Sequence, residues 1–367
     1  MNDTYFAMRN LPFRYTVNTY RGCQHNCSYC YGPYSHRYIG HSTEDFGKII
    51  LAKRNAPEVL DDELAKRTTR SIVILGSISD AYQPYERTLG ITRKVLRVLS
   101  KHDWPCYIET KSDLVLRDID IIGQMGKKGL CNVGTSVTVI DPDTKILLEP
   151  FSPSPKERLA MIAKISNTGA ETCVHITPFI PYLTSDCLED IIRESARAGA
   201  KYVIVSPLEL SPSIWGSFKR SLERGGLTRV VRKLGDLYFK GKRVKGGRLT
   251  PPRWYHMRLE EQSHRLCKKH RIGFWPTILF DLHTANIGGA YRWRYPYAYD
   301  YWKLIKSRIG RKVSLGEALE VAGKFNVDNK YVRSLARFWV SGRLLEDANE
   351  ISVTISDDRA FYRYEPG

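Results

Sequence analysis

The 367-residue chain is 42% hydrophobic and 26% charged, which reads as a globular, soluble protein long enough to bury a sizeable core. Eight cysteines are too sparse for a disulfide scaffold, and apolar runs such as SIVIL at residues 71–75 fall far short of the ~18 residues of a membrane helix. The N-terminus MNDTYFAMRNLP lacks the basic-then-apolar build of a secretory signal, so a cytoplasmic protein with no membrane contact is expected.

From about residue 14 to residue 206, short runs rich in Val, Ile, Thr or Tyr alternate with helical patterns. The strand candidates are RYTVNTY, SIVILGS, PCYIET, CNVGTSV, TCVHITP and KYVIVSP. Helices are predicted over residues 86–101, 114–127, 155–167 and 184–198; the third opens on Pro155 and closes at Gly169. Repeated βα units imply a parallel sheet, either open and doubly wound or curled into a partial barrel, with functional groups at the C-terminal strand ends.

After residue 206 the alternation stops. Residues 1–210 carry 26 Lys and Arg against 24 Asp and Glu, whereas residues 211–367 carry 31 against 15, so nearly all of the net charge of +18 lies in the second part. Residues 219–248 alone hold eleven basic side chains and two acids, a basic cover or arm. A polyanion partner, nucleic acid first, fits this asymmetry; so does a solvated basic surface. The stretch AYRWRYPYAYDYW sets Tyr291, Trp293, Tyr295, Tyr297, Tyr299 and Tyr301 at every second position, a base platform or a packed strand. Upstream, Asp281, His283 and Asn286 lie among turn-like glycines. The tail reads as helix, turn, helix over residues 314–345, with Lys330, Arg333 and Arg337 on its second helix, then a hairpin bending near Asp357 and Asp358. A winged helix and a plain helical cap both satisfy that order.

One motif stands apart. Cys23, Cys27 and Cys30 occur within eight positions directly after the first strand, with no fourth cysteine beside them. Structural zinc is usually closed by four ligands, so His25 or His36 would have to complete such a site; a redox pair with one spare cysteine is a further reading. An iron–sulfur cluster on three thiolates instead keeps one iron open to a ligand. The other five cysteines, Cys106, Cys131, Cys173, Cys187 and Cys267, stand singly and read as buried small apolar residues.

The pattern C-x3-C-x-aromatic-C in this position resembles the radical S-adenosylmethionine (SAM) superfamily, and within it the spore photoproduct lyase group. The likeness runs over about residues 15–209 through GCQHNCSYCYG, GSISDAYQPYERTLGITRKVL, IETKSDLVLRDIDII, TSVTVIDPDTKILLEPFSPSPKERL and ITPFIP. It implies an α/β fold, a partial (β/α)6 TIM-like barrel over residues 1–210. A basic, aromatic-rich extension over 211–310 and a tail over 311–367 would complete a mainly α C-terminal part. It also implies a 4Fe-4S cluster on Cys23, Cys27 and Cys30 that binds SAM and, with one electron from a donor such as a ferredoxin or flavodoxin, yields a 5′-deoxyadenosyl radical.

By the same resemblance Tyr29 supports the cluster loop, and Ser77, Ser79 and Asp80 meet the SAM amino group. Lys111 and Ser136 match positions that bind its carboxylate; Arg158, held by Glu149, sits nearby. Tyr31 matches a hydrogen-atom relay. One position departs from the group: where the lyases carry a hydrogen-donating cysteine, this chain has Ser77. The expected activity is radical modification or repair of a nucleotide in DNA or RNA. The same chemistry on a peptide or metabolite, and a non-catalytic iron–sulfur protein that binds nucleic acid, stand as alternatives.

Overall fold

A computed structural model describes residues 1–3, 13–67, 72–239, 243–244, 248–274, 312–313, 351–356 and 359–364. The strand-forming runs become β1 (Asn2–Asp3), β2 (Phe13–Val17), β3 (Tyr20–Arg21), β4 (Leu51–Ala52), β5 (Ile72–Leu75), β6 (Cys106–Glu109), β7 (Cys131–Ser136), β8 (Glu171–Phe179) and β9 (Tyr202–Pro207). Further along come β10 (Arg243–Val244), β11 (Arg248–Leu249) and β12 (Gly273–Phe274). One sheet has the order β1-β2-β5-β6-β7-β8-β9-β12, parallel throughout except for the antiparallel edge β1. From β2 to β9 each strand of this sheet lies beside the next one in sequence. Right-handed crossovers that always step the same way place the crossover helices on one face, so the sheet is singly wound, as in a partial barrel, and not doubly wound.

The helices are α1 (Ala56–Ala65), α2 (Glu86–Leu89), α3 (Ile91–Lys101), α4 (Ile119–Lys127), α5 (Pro142–Leu148), α6 (Pro155–Ser166), α7 (Leu188–Arg197), α8 (Pro212–Arg224), α9 (Thr228–Phe239) and α10 (Arg253–Lys269). The predicted helix 86–101 is broken at Gly90, whose φ of 60° only glycine adopts without strain, and the predicted helices 114–127 and 184–198 each begin as a 3-10 turn. Strand alternation then sorts the two faces of the sheet. Val73, Leu75, Ile108, Val133, Val174, Ile176 and Val203 pack under Val95, Leu99, Ile122, Ile162 and Ile191 in the main core. The residues between them, including Tyr107, Glu109, Asn132, Ser136, Cys173, His175 and Tyr202, bond to one another on the opposite, concave face.

One expectation needs correction. The barrel does not stop at residue 210: α10 returns the chain and β12 extends the sheet beside β9. Of the two readings of the basic segment, cover or arm, the described residues form a cover: most of the segment lies in α8 and α9, whose Phe218, Leu222, Leu234 and Tyr238 are fully buried in a second core with Tyr29, Leu148, Leu208 and Leu210. Of the lone cysteines, Cys106, Cys131, Cys173 and Cys267 are buried and Cys187 is half-buried. In the tail, β13 (Lys312–Val313), β14 (Ile351–Ser356) and β15 (Arg359–Tyr364) form an antiparallel sheet, with the expected hairpin between the last two. The predicted helix–turn–helix, the alternating aromatics, and Asp281, His283 and Asn286 lie outside the described residues.

Candidate functional site

The loop after β3 is held at both ends by backbone hydrogen bonds. Cys23 N–H donates to the Phe46 carbonyl (3.0 Å), Ser28 N–H to the Leu148 carbonyl (2.8 Å) and Cys30 N–H to the Cys27 carbonyl (3.1 Å). Gln83 clamps the first turn, accepting from Gln24 N–H at 3.0 Å and donating to the Gly22 carbonyl at 3.1 Å. Cys23 is buried, Cys27 and Cys30 are half-buried, and none is in a disulfide. Burial pushes all three thiols up to about 12; Asp80 adds to this at Cys23, while Lys111 opposes it at Cys27 and Cys30. Gly32 N–H donates to Cys30 Sγ at 3.3 Å, a contact that favours the thiolate. Such sulfurs keep their protons until a metal displaces them.

Of the two histidines that could have closed a zinc site, His25 is engaged through both ring nitrogens and His36 through Nε2, its buried Nδ1 having no hydrogen-bond partner among the described residues. His25 Nδ1 lies 3.2 Å from the Phe151 carbonyl and Nε2 lies 3.0 Å from Asp80 Oδ2. Both partners are acceptors, so only the doubly protonated ring satisfies them together. His36 Nε2 meets the Ile49 carbonyl at 2.9 Å. Among the described residues, no three His, Cys, Asp or Glu groups, these cysteines included, are gathered tightly enough to hold a single ion.

The strand ends carry the other predicted residues. Burial raises the Asp80 carboxyl, yet the His25 charge and hydrogen bonds from His25, Thr110 and the Lys111 amide bring it down to about 2. Asp80 thereby ties the cysteine loop to the ends of β5 and β6. Ser79 is buried, and its hydroxyl has no hydrogen-bond partner among the described residues. Ser77 Oγ sits 2.5 Å from Thr16 Oγ1 and accepts from Asn18 Nδ2 at 3.1 Å. Tyr31 is 43% exposed and its hydroxyl donates to the Ser77 carbonyl.

Glu149 and Arg158 form a buried ion pair, each about 1% exposed. Arg158 also donates to the carbonyls of Pro153 (3.0 Å) and Ser136 (2.7 Å) and to Ser152 Oγ (2.6 Å), so the guanidinium is consumed inside the protein. Glu149 in turn accepts from the Tyr29 hydroxyl, fixing the aromatic before the third cysteine. The resemblance placed this pair beside an incoming carboxylate; the geometry makes it a brace for the loop. Lys111 is different: half-buried, its Nζ is 6.0 Å from the centre of the Tyr29 ring. Cys27 and Glu149, opposing its burial, hold the ammonium above its usual range.

Sequence reasoning missed the concave wall. Tyr107 OH donates to Glu109 Oε2 (2.6 Å), also contacts His175 Nε2, and lies 3.4 Å from Cys173 Sγ. Ser136 Oγ donates to Glu109 Oε1 at 3.1 Å. A Cβ on Gly134 would fall 1.9 Å from the Tyr107 oxygen, so the phenol crosses the sheet only because that position is bare backbone. The signal was available in CYIET, CNVGTS and TCVHITP, where the polar residues recur at every second position.

These residues fit a 4Fe-4S cluster on Cys23, Cys27 and Cys30 with an amino-acid ligand beside it. Three unbridged thiols share one loop; an unpartnered buried hydroxyl, a half-buried ammonium and a carboxylate lie at the neighbouring strand ends.

Comparison with known proteins agrees. The family model "Radical SAM superfamily" matches residues 17–195. An uncharacterized protein of Mycobacterium tuberculosis is 33% identical over 266 residues, 71% of this chain and 76% of the relative. One of Methanocaldococcus jannaschii is 31% identical over 182 residues, 50% of this chain and 66% of the relative. Among solved structures, a spore photoproduct lyase mutant with bound AdoMet and dinucleoside spore photoproduct superposes with a TM-score of 0.56 at 15% identity, covering 71% of this chain and 75% of that one; this is a likeness of fold.

Proposed function

The chain belongs to the radical SAM superfamily, and on that premise we propose that it modifies or repairs a nucleotide within DNA or RNA. Members of the superfamily use a 4Fe-4S cluster and SAM, which together supply, on one-electron reduction, a carbon radical able to take hydrogen from a C–H bond. Cys23, Cys27 and Cys30 would hold the cluster, with an acidic carrier such as a ferredoxin or flavodoxin as electron source. Lys111 offers an ammonium to the SAM carboxylate, with Ser136 beside it, and Ser79 a buried hydroxyl to the amino-acid end. Tyr29, Glu149 and Arg158 keep the loop rigid. Tyr31, exposed at the mouth, can pass a hydrogen atom without leaving a charge.

One observation carries the nucleic-acid reading. The α8–α9 pair exposes Arg220, Arg224, Arg229, Arg232 and Lys233 against Glu223 and Asp236, and the same pair touches the cysteine loop, where Ser217 Oγ donates to the Ser28 carbonyl at 3.0 Å. Exposed cations on a helix pair that touches the cysteine loop suit a substrate with a phosphate backbone. The lyase structure with a dinucleoside bound is consistent with such a substrate.

A lyase route quenched by a thiol at the position of Ser77 does not suit this chain. A serine O–H bond is too strong to quench a carbon radical, and the Ser77 hydroxyl is bonded to Thr16 and Asn18. Cys106 and Cys131 start their strands, on the helix-facing side; along β7, Cys131 is roughly 16 Å from the Ser136 end at 3.3 Å per residue.

The test is anaerobic incubation of cluster-loaded protein with SAM, a reductant and candidate DNA or RNA, followed by mass analysis of nucleosides. Formation of 5′-deoxyadenosine with an altered nucleoside is expected, and Cys27→Ala should abolish both. Cleavage of SAM with every nucleic acid unaltered would point to a peptide or metabolite substrate. Zinc at the loop would reject the chemistry.

A further inference from the structure

A carboxylate offers about four acceptor positions, and the site's three buried or half-buried carboxylates differ in how many are taken. At Asp80, Oδ1 accepts from Tyr82 N–H (2.8 Å) and Thr110 Oγ1 (2.6 Å), and Oδ2 from Lys111 N–H (2.8 Å) and His25 Nε2 (3.0 Å). At Glu149, Oε1 accepts from Tyr29 and Thr138, and Oε2 from Arg158 and Ser152. Both are full. Glu109 is not: Oε2 meets Tyr107 OH (2.6 Å) and His175 Nε2 (3.3 Å), but among the described residues Oε1 has only Ser136 Oγ (3.1 Å).

Accessibility and charge point the same way. The Glu109 side chain is 23% exposed, against 7% for Asp80 and 2% for Glu149. Asp80 is matched by the His25 ring and Glu149 by Arg158. Glu109 has the His175 ring on Oε2 alone, and Lys111 lies two positions on at the end of β6, where the Glu109 charge is among those that raise its ammonium. An ammonium beside a carboxylate oxygen with room for a further donor matches a zwitterionic amino-acid end, whose buried ammonium would otherwise lack acceptors.

We propose that Glu109, and not Asp80, receives the ammonium group of SAM, while Asp80 holds the cysteine loop in place. The assignment rests on the reading of this chain as a SAM-dependent enzyme. The wall that presents Glu109 is preset: Tyr107, passing over the bare Gly134, and Ser136 fix its two oxygens before any ligand arrives.

The test uses the full, cluster-loaded chain under anaerobic conditions, with iron content and equilibrium dialysis as readouts. Glu109→Gln should keep the parent's iron content and bind SAM roughly ten- to a hundredfold more weakly, the range expected for losing a hydrogen bond to a charged group. Its affinity for methylthioadenosine, which has no amino-acid end, should stay at the parent's value. Asp80→Asn should instead lose iron, because the loop's tie through His25 is weakened. Parent-like SAM affinity in Glu109→Gln, or equal weakening toward both ligands, would overturn the assignment. So would Asp80→Asn with full iron and weak SAM binding. A parent chain that takes up no iron and binds no SAM would reject the underlying reading as well.

Discussion

Glu149 shows how much of the loop's rigidity depends on single residues. Burial pushes its carboxyl up, but the charges of Arg158 and Lys111 and the hydrogen bonds from Arg158 and Tyr29 pull it down to about 2. In the unfolded chain it titrates near about 4.3. The folded state therefore binds fewer protons in this interval. The stabilisation is complete above the unfolded value and fades as pH falls toward 2. In denaturant titrations from pH 5 to pH 2, Glu149→Gln should lose stability with a shallower slope than the parent. At neutral pH it should already be about 3–5 kcal/mol less stable, because the Arg158 charge is left buried without its partner. An unchanged acid slope would show that the pair does not titrate as described. The pairing itself was only partly legible: the sequence suggested that Glu149 holds Arg158, but a hydrogen bond to Tyr29 across 120 positions leaves no local pattern.

The α8–α9 pair is the element that sequence reading described least well. Its eleven-to-two basic excess over residues 219–248 was plain, yet the helical spacing of Phe218 and Leu222, then Val231, Leu234 and Tyr238, was hidden among the charges. One face buries those rings and aliphatic chains under the cysteine loop, and the other presents arginines to solvent. If that face holds phosphates, neutralising Arg220, Arg224, Arg229 and Arg232 to Gln should weaken nucleic-acid binding. It should also flatten the dependence of log affinity on log salt by roughly 0.7–0.9 for each phosphate that is no longer neutralised. Iron content should not change. Binding with the parent's salt slope would remove these helices from the interface.

At the scale of the molecule, the barrel and the extension are one structure. Residues after 210 supply β12 to the sheet and the lid of the second core, and each large side chain buried there contributes about 1.5–3 kcal/mol. A chain cut after residue 210 should lose cooperative unfolding or aggregate, which calorimetry and size-exclusion chromatography would reveal. Unfolding at the parent's midpoint would mean that the first 210 residues fold alone. The repeated βα order, six of the seven parallel strands and the three-cysteine loop were determined by the sequence itself, because periodicity and motif spacing act over a few neighbouring residues. Tertiary structure alone decided that the sheet winds one way, that β12 joins it, that Asp80 and Glu149 are saturated, and that Glu109 keeps an acceptor open. Each of those depends on partners tens to more than a hundred positions apart, and only the folded chain brings them within hydrogen-bond reach.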